Sequence, residues 1–282
     1  MPAPSEGPPS APPPREVLAA FGAGVDPVPL DGGQRTVWRA ADVVLKPLDV
    51  SAEELAWQAE VLTAVDGVPD VRVAPPVRSA DGALAVAGWT AWRYEPGAPP
   101  TAHEYPAVAA AGRALHRHLA HVPRPDLLDR RDHAWARADR AAWDEADVGT
   151  AADLPHVRAL LDARRPVALP AQLVHADLTD NVHLHPALPP LVLDLTAYWR
   201  PPAYATAVVV ADAVVFRGAD LALVERTAGE EGPGFAQLLV RALLFRAVTD
   251  HLLAPDRDAA WTRWFAPAVG AAVALAARED RP

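Results

Sequence analysis

Gln172-Leu173-Val174-His175-Ala176-Asp177-Leu178-Thr179-Asp180-Asn181-Val182-His183-Leu184-His185, followed after the turn at 186–190 by Leu191-Val192-Leu193-Asp194-Leu195, is the stretch on which the fold turns. Two short apolar runs flank a tight polar loop, and a third apolar run ends in Asp194. The stretch interrupts a half of the chain whose other segments have helical spacing. Taken singly, Asp177 would cap a turn, Asn181 would satisfy loop backbone and Asp194 would end a strand. Taken in order, they supply a carboxylate for an attacking hydroxyl and two oxygen donors that could hold Mg²⁺ against a triphosphate. Phosphoryl transfer asks a protein for little more. Asp180 is a further candidate metal ligand in the same loop.

Working outward, residues 104–121, 133–146, 153–163, 202–217, 218–228, 233–253 and 257–277 are predicted helices. Upstream the pattern is different. A turn at 29–36 leads into a strand, 41–46 is its partner, 52–65 is a helix, and 71–77 and 83–94 are strands. Glu95-Pro96-Gly97-Ala98-Pro99-Pro100 is loop chemistry and breaks the chain after Tyr94. The expected architecture is therefore α+β. A Pro-rich disordered tail (1–14) precedes a small β-rich lobe (15–94) and a larger, mainly helical lobe (95–282) that carries the polar loop.

His175-Ala176-Asp177-Leu178-Thr179-Asp180-Asn181 resembles the catalytic loop of aminoglycoside phosphotransferases and related small-molecule kinases, and Val192-Leu193-Asp194-Leu195 resembles their metal-binding segment. The resemblance implies a protein-kinase-like two-lobed fold, with Asp177 as catalytic base and Asn181 and Asp194 as Mg²⁺ ligands. The Asn follows the Asp by four residues where the family usually has five, and Ala176 stands where a Gly is common. Asp194, Tyr198, Trp199, Arg200, Pro201 and Pro202 also match an uncharacterised actinobacterial branch of the superfamily.

The resemblance assigns two further roles. Lys46, at the end of an apolar strand, would orient the nucleotide phosphates, and Glu60 on the next helix would pair with it. Gly32 and Gly33 form the candidate turn over the nucleotide, because glycine lets backbone N–H groups approach phosphate. Residues 89–94 would be the inter-lobe hinge, with Trp92 and Tyr94 near the adenine. Arg200 is placed to meet phosphate or an anionic substrate.

The reading is an ATP- or GTP-dependent, Mg²⁺-requiring kinase that phosphorylates a hydroxyl of a small molecule. The acceptor could be an aminoglycoside-like antibiotic, a sugar, an amino alcohol or a nucleoside. The short loop keeps an alternative in play, a catalytically impaired kinase fold that binds nucleotide. A third reading, from a different class, is a metal-dependent hydrolase using His183 and His185, whose alternation puts both rings on one strand face. A Ser/His/Asp hydrolase is excluded, since every serine precedes residue 80 and no Gly-x-Ser-x-Gly elbow exists.

A net charge of −10 argues against a nucleic-acid partner. Charges, Gly and Pro interrupt every apolar run before it reaches membrane-spanning length. With zero cysteines and no signal-peptide pattern, the expected location is cytoplasmic.

Overall fold

The computed structural model describes residues 11–30 and 36–281. The chain divides into two units, Met1–Ala98 with His183–Leu193, and Pro99–Val182 with Asp194–Pro282. Gly32 and Gly33 lie outside the described residues, as do residues 1–10 of the expected tail.

Alternation of inward and outward side chains builds the first unit. Its elements up to residue 98 are α1 (Arg15–Ala20), β1 (Val28–Pro29), β2 (Trp38–Ala40), β3 (Val43–Pro47), α2 (Ala52–Val65), β4 (Arg72–Val73), β5 (Pro76–Val77), β6 (Ala85–Val86) and β7 (Trp89–Arg93). An antiparallel sheet runs β1-β2-β3-β7-β5, with β6 also on β7. One face closes a core of Trp38, Ala40, Val43, Leu45 and Ala91 against Val17 and Phe21. Because the strand period is two, Val44 and Lys46 belong to the opposite face.

In α2 the Ser51 hydroxyl accepts the Glu54 N–H at 3.1 Å and caps the helix. The buried stripe of that helix runs through Leu55, Gln58, Ala59, Leu62 and Val65, the i, i+3, i+4 spacing of an inward face.

The single strand predicted over 83–94 is instead a hairpin. Ala87 (φ 48°) and Gly88 (φ 77°) turn the chain between β6 and β7, as a two-residue connection with left-handed backbone does. Ala87 carries no turn signal, which is why the pattern reads as continuous. The predicted strand 71–77 also splits, with β5 joining β7 and β4 serving another sheet.

The second unit is helical. In chain order come α3 (Tyr105–Leu119), α4 (Leu127–Arg130), α5 (Ala134–Ala142), a 3₁₀ turn, α6 (Pro155–Ala163) and β8 (Gln172–His175). Next are β9 (Val182–His185) and β10 (Leu188–Val192), whose residues 183–193 fold with the first unit. There β10 lies parallel to β4, and the sheet order is β4-β10-β9. The segment after β7 is pinned beside them. Arg72 donates to Glu95 at 3.0 Å and to the Pro96 carbonyl at 2.8 Å, and Ala98 bridges Leu184. Gly97 is required, since a Cβ there would stand 2.8 Å from the His183 Cβ.

The chain then returns to the helical unit through β11 (Ala197–Arg200), antiparallel to β8. After it come α7 (Pro202–Phe216), α8 (Ala222–Glu231), α9 (Phe235–Leu253) and α10 (Asp258–Glu279). Neither α4 nor β11 is among the predicted elements. α9 is buried along nearly its whole length and packs against α5, α6, α7 and α10, as a helix apolar on all sides must. Among the described residues no helix is long and apolar enough to cross a membrane.

Candidate active site

The polar loop grows out of β8 and is fixed by what lies beneath it. His175 is fully buried, and its backbone N–H donates to His116 Nε2 of α3 at 3.0 Å. Burial keeps His116 neutral and pushes its pKa down to about 3, with the neighbouring His175 adding to the effect. Leu178 is buried against α3 where the helix carries Gly112, at which any Cβ would overlap the Leu178 side chain. The Leu178 side chain therefore rests on the α3 backbone at Gly112.

Asp177, the residue expected to act as base, is half-buried at the start of this loop. Its Oδ1 accepts Arg246 Nη2 at 2.6 Å. Its Oδ2 receives only a long 3.3 Å contact from Asn181 Nδ2. Burial, the largest single influence, lifts the carboxyl pKa, but the Arg246 guanidinium, with His175 and Arg217 adding to it, brings the net position below the ordinary value. Arg246 is itself buried in α9 and gives Nε and Nη2 to Asp212 of α7 at 2.7 and 2.6 Å. Thr179 closes the set by donating to Asp212 Oδ2 at 2.9 Å.

The shortened step from Asp177 to Asn181 has a simple solution. Asn181 Nδ2 turns back to the Asp177 carbonyl at 2.7 Å, and its N–H donates to the Leu178 carbonyl at 3.0 Å. The amide nitrogen is spent inside the loop, and the carbonyl oxygen of the same side chain has no partner among the described residues. Asp194 is exposed and adopts φ 50°, a left-handed backbone rare outside glycine and more accessible to Asp than to most residues. Such outliers gather at functional sites. Asn181 and Asp194 are oxygen donors of the kind Mg²⁺ takes beside nucleotide phosphates. Asp180, the further candidate, is exposed and ion-paired to Arg217.

In the sheet unit Lys46 is partly covered, 3.5 Å from Asp49 Oδ2 and 5.2 Å from the centre of the Trp92 ring. It is the only lysine in a chain with 26 Lys and Arg residues. The expected partner Glu60 is exposed on the side of α2 opposite its buried stripe, and it makes no ion pair among the described residues. Helix phase explains the miss, because residue 60 falls about 100° from residue 59 and further still from 58 and 62. The polar residue on the inward stripe is Gln58.

Trp92 is buried and donates Nε1 to Thr90 at 3.0 Å, so it belongs to the sheet. The Tyr94 ring carries the Arg39 guanidinium 3.5 Å from its centre.

Arg200 does not suit the expected role towards an anion. Its guanidinium is shared between Asp139 and Glu145, with shortest contacts of 2.6 Å to each, and it lies 4.8 Å from the Trp143 ring centre. A guanidinium surrounded by two carboxylates is a clamp between β11 and α5.

The histidine hydrolase has no geometry behind it. Among the described residues no group of three or more His, Asp or Glu side chains could hold a metal ion. His185 Nδ1 accepts the Ala187 N–H at 3.1 Å, and His183 packs over Gly97 with its pKa lowered by burial.

Arg246, Asp212 and Thr179 were given no role from sequence. A signal existed for two of them. Asp212 is the one charge in its helix, and Arg246 lies in a helix buried along nearly its whole length; a charge placed there must find a partner.

Comparison with known proteins gives the family and the fold. A model of the phosphotransferase enzyme family matches residues 25–243. An aminoglycoside phosphotransferase from Alicyclobacillus acidocaldarius superposes with a TM-score of 0.59 at 15% identity, covering 95% of this chain and 96% of that one. A thermostable mutant of the aminoglycoside phosphotransferase APH(4)-Ia, solved with AMP-PNP and hygromycin B, gives 0.60 at 16% identity over 95% and 98%. Choline kinase LicA from Streptococcus pneumoniae gives 0.54 at 10% identity over 89% and 94%. No curated protein sequence matches the chain.

Proposed function

This chain belongs to the phosphotransferase enzyme family, and from that premise we propose that it transfers the terminal phosphoryl group of ATP or GTP to a hydroxyl of a small molecule, with Asp177 as the base. The observation that carries the reading is the unequal treatment of the two Asp177 oxygens. Oδ1 is fixed by a short charge-assisted bond to Arg246, while Oδ2 has only the long contact to Asn181. Oδ2 is thus the oxygen that would orient an acceptor hydroxyl and take its proton as the bond to phosphorus forms. A transition state with loose bonding needs position more than basicity, so a carboxylate held below its ordinary pKa is suited to the task.

The Asn181 carbonyl oxygen and the Asp194 carboxylate would hold Mg²⁺ brought in with the nucleotide. The ion's contribution is to neutralise charge on the phosphates. Lys46 would meet the phosphates as a compact point charge. A chain that uses arginine at its other basic positions and lysine here fits that role, because ammonium and guanidinium are not interchangeable. Gln58 takes the inward place on α2 that Glu60 does not occupy.

The test is a panel of aminoglycosides, other antibiotics, sugars, amino alcohols and nucleosides, assayed with γ-labelled ATP and GTP in the presence of Mg²⁺. Label transferred to one acceptor class supports the reading. Tight nucleotide binding with no transfer and no slow hydrolysis would favour the impaired-kinase alternative, in which the four-residue loop binds but does not turn over.

A further inference from the structure

The Asp177 carboxylate is steered by a residue 69 positions away. Arg246 sits in the middle of α9 and is 9% exposed. Its side-chain hydrogen bonds among the described residues go to two carboxylates, Asp177 and Asp212. Asp212 is 5% exposed on α7 and receives both Arg246 and Thr179. A planar guanidinium gripped through Nε and Nη2 by one carboxylate has its remaining Nη2 direction fixed. That direction ends on Asp177 Oδ1.

We propose that Arg246, locked by Asp212, is the positioning residue that sets the rotation of the Asp177 carboxylate and so presents Oδ2 to the acceptor hydroxyl. The arrangement spans three elements: α7 supplies the lock, α9 the pointer and the loop after β8 the base. Thr179 ties the lock to that same loop two residues beyond the base, so loop and helices hold each other in register. The inference rests on Asp177 being the base, and it adds how this chain aims it. Arginine is needed, because a lysine ammonium could bond both carboxylates without dictating an angle between them.

The test uses the whole protein. Arg246→Met alone strands Asp212 and can fail to fold, so the principal variant pairs Arg246→Met with Asp212→Leu, which removes both buried charges and keeps the volume. Slow hydrolysis of MgATP, with water as acceptor, supplies the kinetic readout alongside any acceptor found by the panel. We expect kcat to fall about 100-fold, as misplacement of a reacting group does, while KM and Kd for MgATP stay within about twofold. Arg246→Lys should recover only part of kcat. A purely structural residue would lower the folded fraction without splitting kcat from KM.

A second arm needs no turnover. Crystal structures of the parent with AMP-PNP and of the double variant should show the Asp177 carboxylate fixed on Arg246 in the first and rotated in the second. An unchanged carboxylate in the variant, an Arg246 swung off Asp177 in the parent, or an unchanged kcat overturns the proposal. A parent with no transfer and no hydrolysis would break the functional reading, and the crystallographic arm would still decide this one.

Discussion

In the helical unit the Asp177 carboxylate is met at 2.6 Å by a buried guanidinium that a second buried carboxylate holds in place. In the sheet unit the Lys46 ammonium is 3.5 Å from Asp49, whose side chain is 60% exposed, and 5.2 Å from the centre of the Trp92 ring. Both residues are charged, and both have a part in the proposed reaction. The difference lies in the partners. Arg246 and Asp212, 9% and 5% exposed, are charges taken out of water, and each is tolerable there because the protein supplies the other; Asp177 is pinned by that pair. Lys46 is paired instead with an aspartate open to water, whose attraction solvent screens.

The comparison can be broken most severely at Arg246. Arg246→Met should cost about 3–5 kcal/mol of stability, because it strands a buried carboxylate. The double variant with Asp212→Leu should return to within about 1–2 kcal/mol of the parent. Urea unfolding of the three proteins checks this. Equal losses in the single and double variants would mean that the cost comes from packing in α9 and owes nothing to a stranded charge.

A smaller effect comes from the other buried group under the loop. His116 has a folded pKa of about 3 against an unfolded value of about 6.5. The unfolded chain therefore binds the extra proton first. The contribution of His116 is fully present above pH 6.5 and is lost as pH falls through 6.5 towards 3, amounting to about 2 kcal/mol by pH 5. His116→Gln should flatten this acid limb in a melting-temperature series from pH 7 to pH 5. A parent whose stability does not fall over that range would place a charged histidine beneath the loop.

The sheet unit should respond least in stability and most in ligand affinity. Lys46→Ala is expected to change folding by less than about 1 kcal/mol, since its ion pair is partly exposed, yet to weaken nucleotide binding about tenfold or more. Glu60→Gln should alter neither beyond about 0.5 kcal/mol. Titration calorimetry with ATP and Mg²⁺ separates the two residues, and an equal loss of affinity in Glu60→Gln would restore Glu60 as the partner of Lys46.

What could be read from the sequence divides along the same line. Asp177, Asn181 and Asp194 could be proposed from sequence because they sit in short segments where local order carries meaning. The α+β division was legible because the hydrophobic period changes after Tyr94. Glu60 was misplaced because a helical residue's role depends on its phase, and one position along α2 rotates a side chain by about 100°. Arg200 was misread because its partners, Asp139 and Glu145, are more than fifty residues away. The hairpin at Ala87-Gly88 was missed because an alanine with positive φ leaves no mark in composition. Asp212 was the recoverable loss, since a single charge inside an otherwise apolar helix announces a buried partner without saying which.

The account stands or falls on whether Asp177 serves the reaction or merely pairs with Arg246. Asp177→Asn keeps the size of the side chain and an oxygen for Arg246 while removing the negative charge. The decisive measurement is kcat of this variant beside its Kd for MgATP, with folding verified by circular dichroism. The account predicts a loss of about 10²–10⁴ in kcat, the range for removal of a general base, with Kd within about twofold of the parent. Transfer at the parental rate in the folded variant would contradict it.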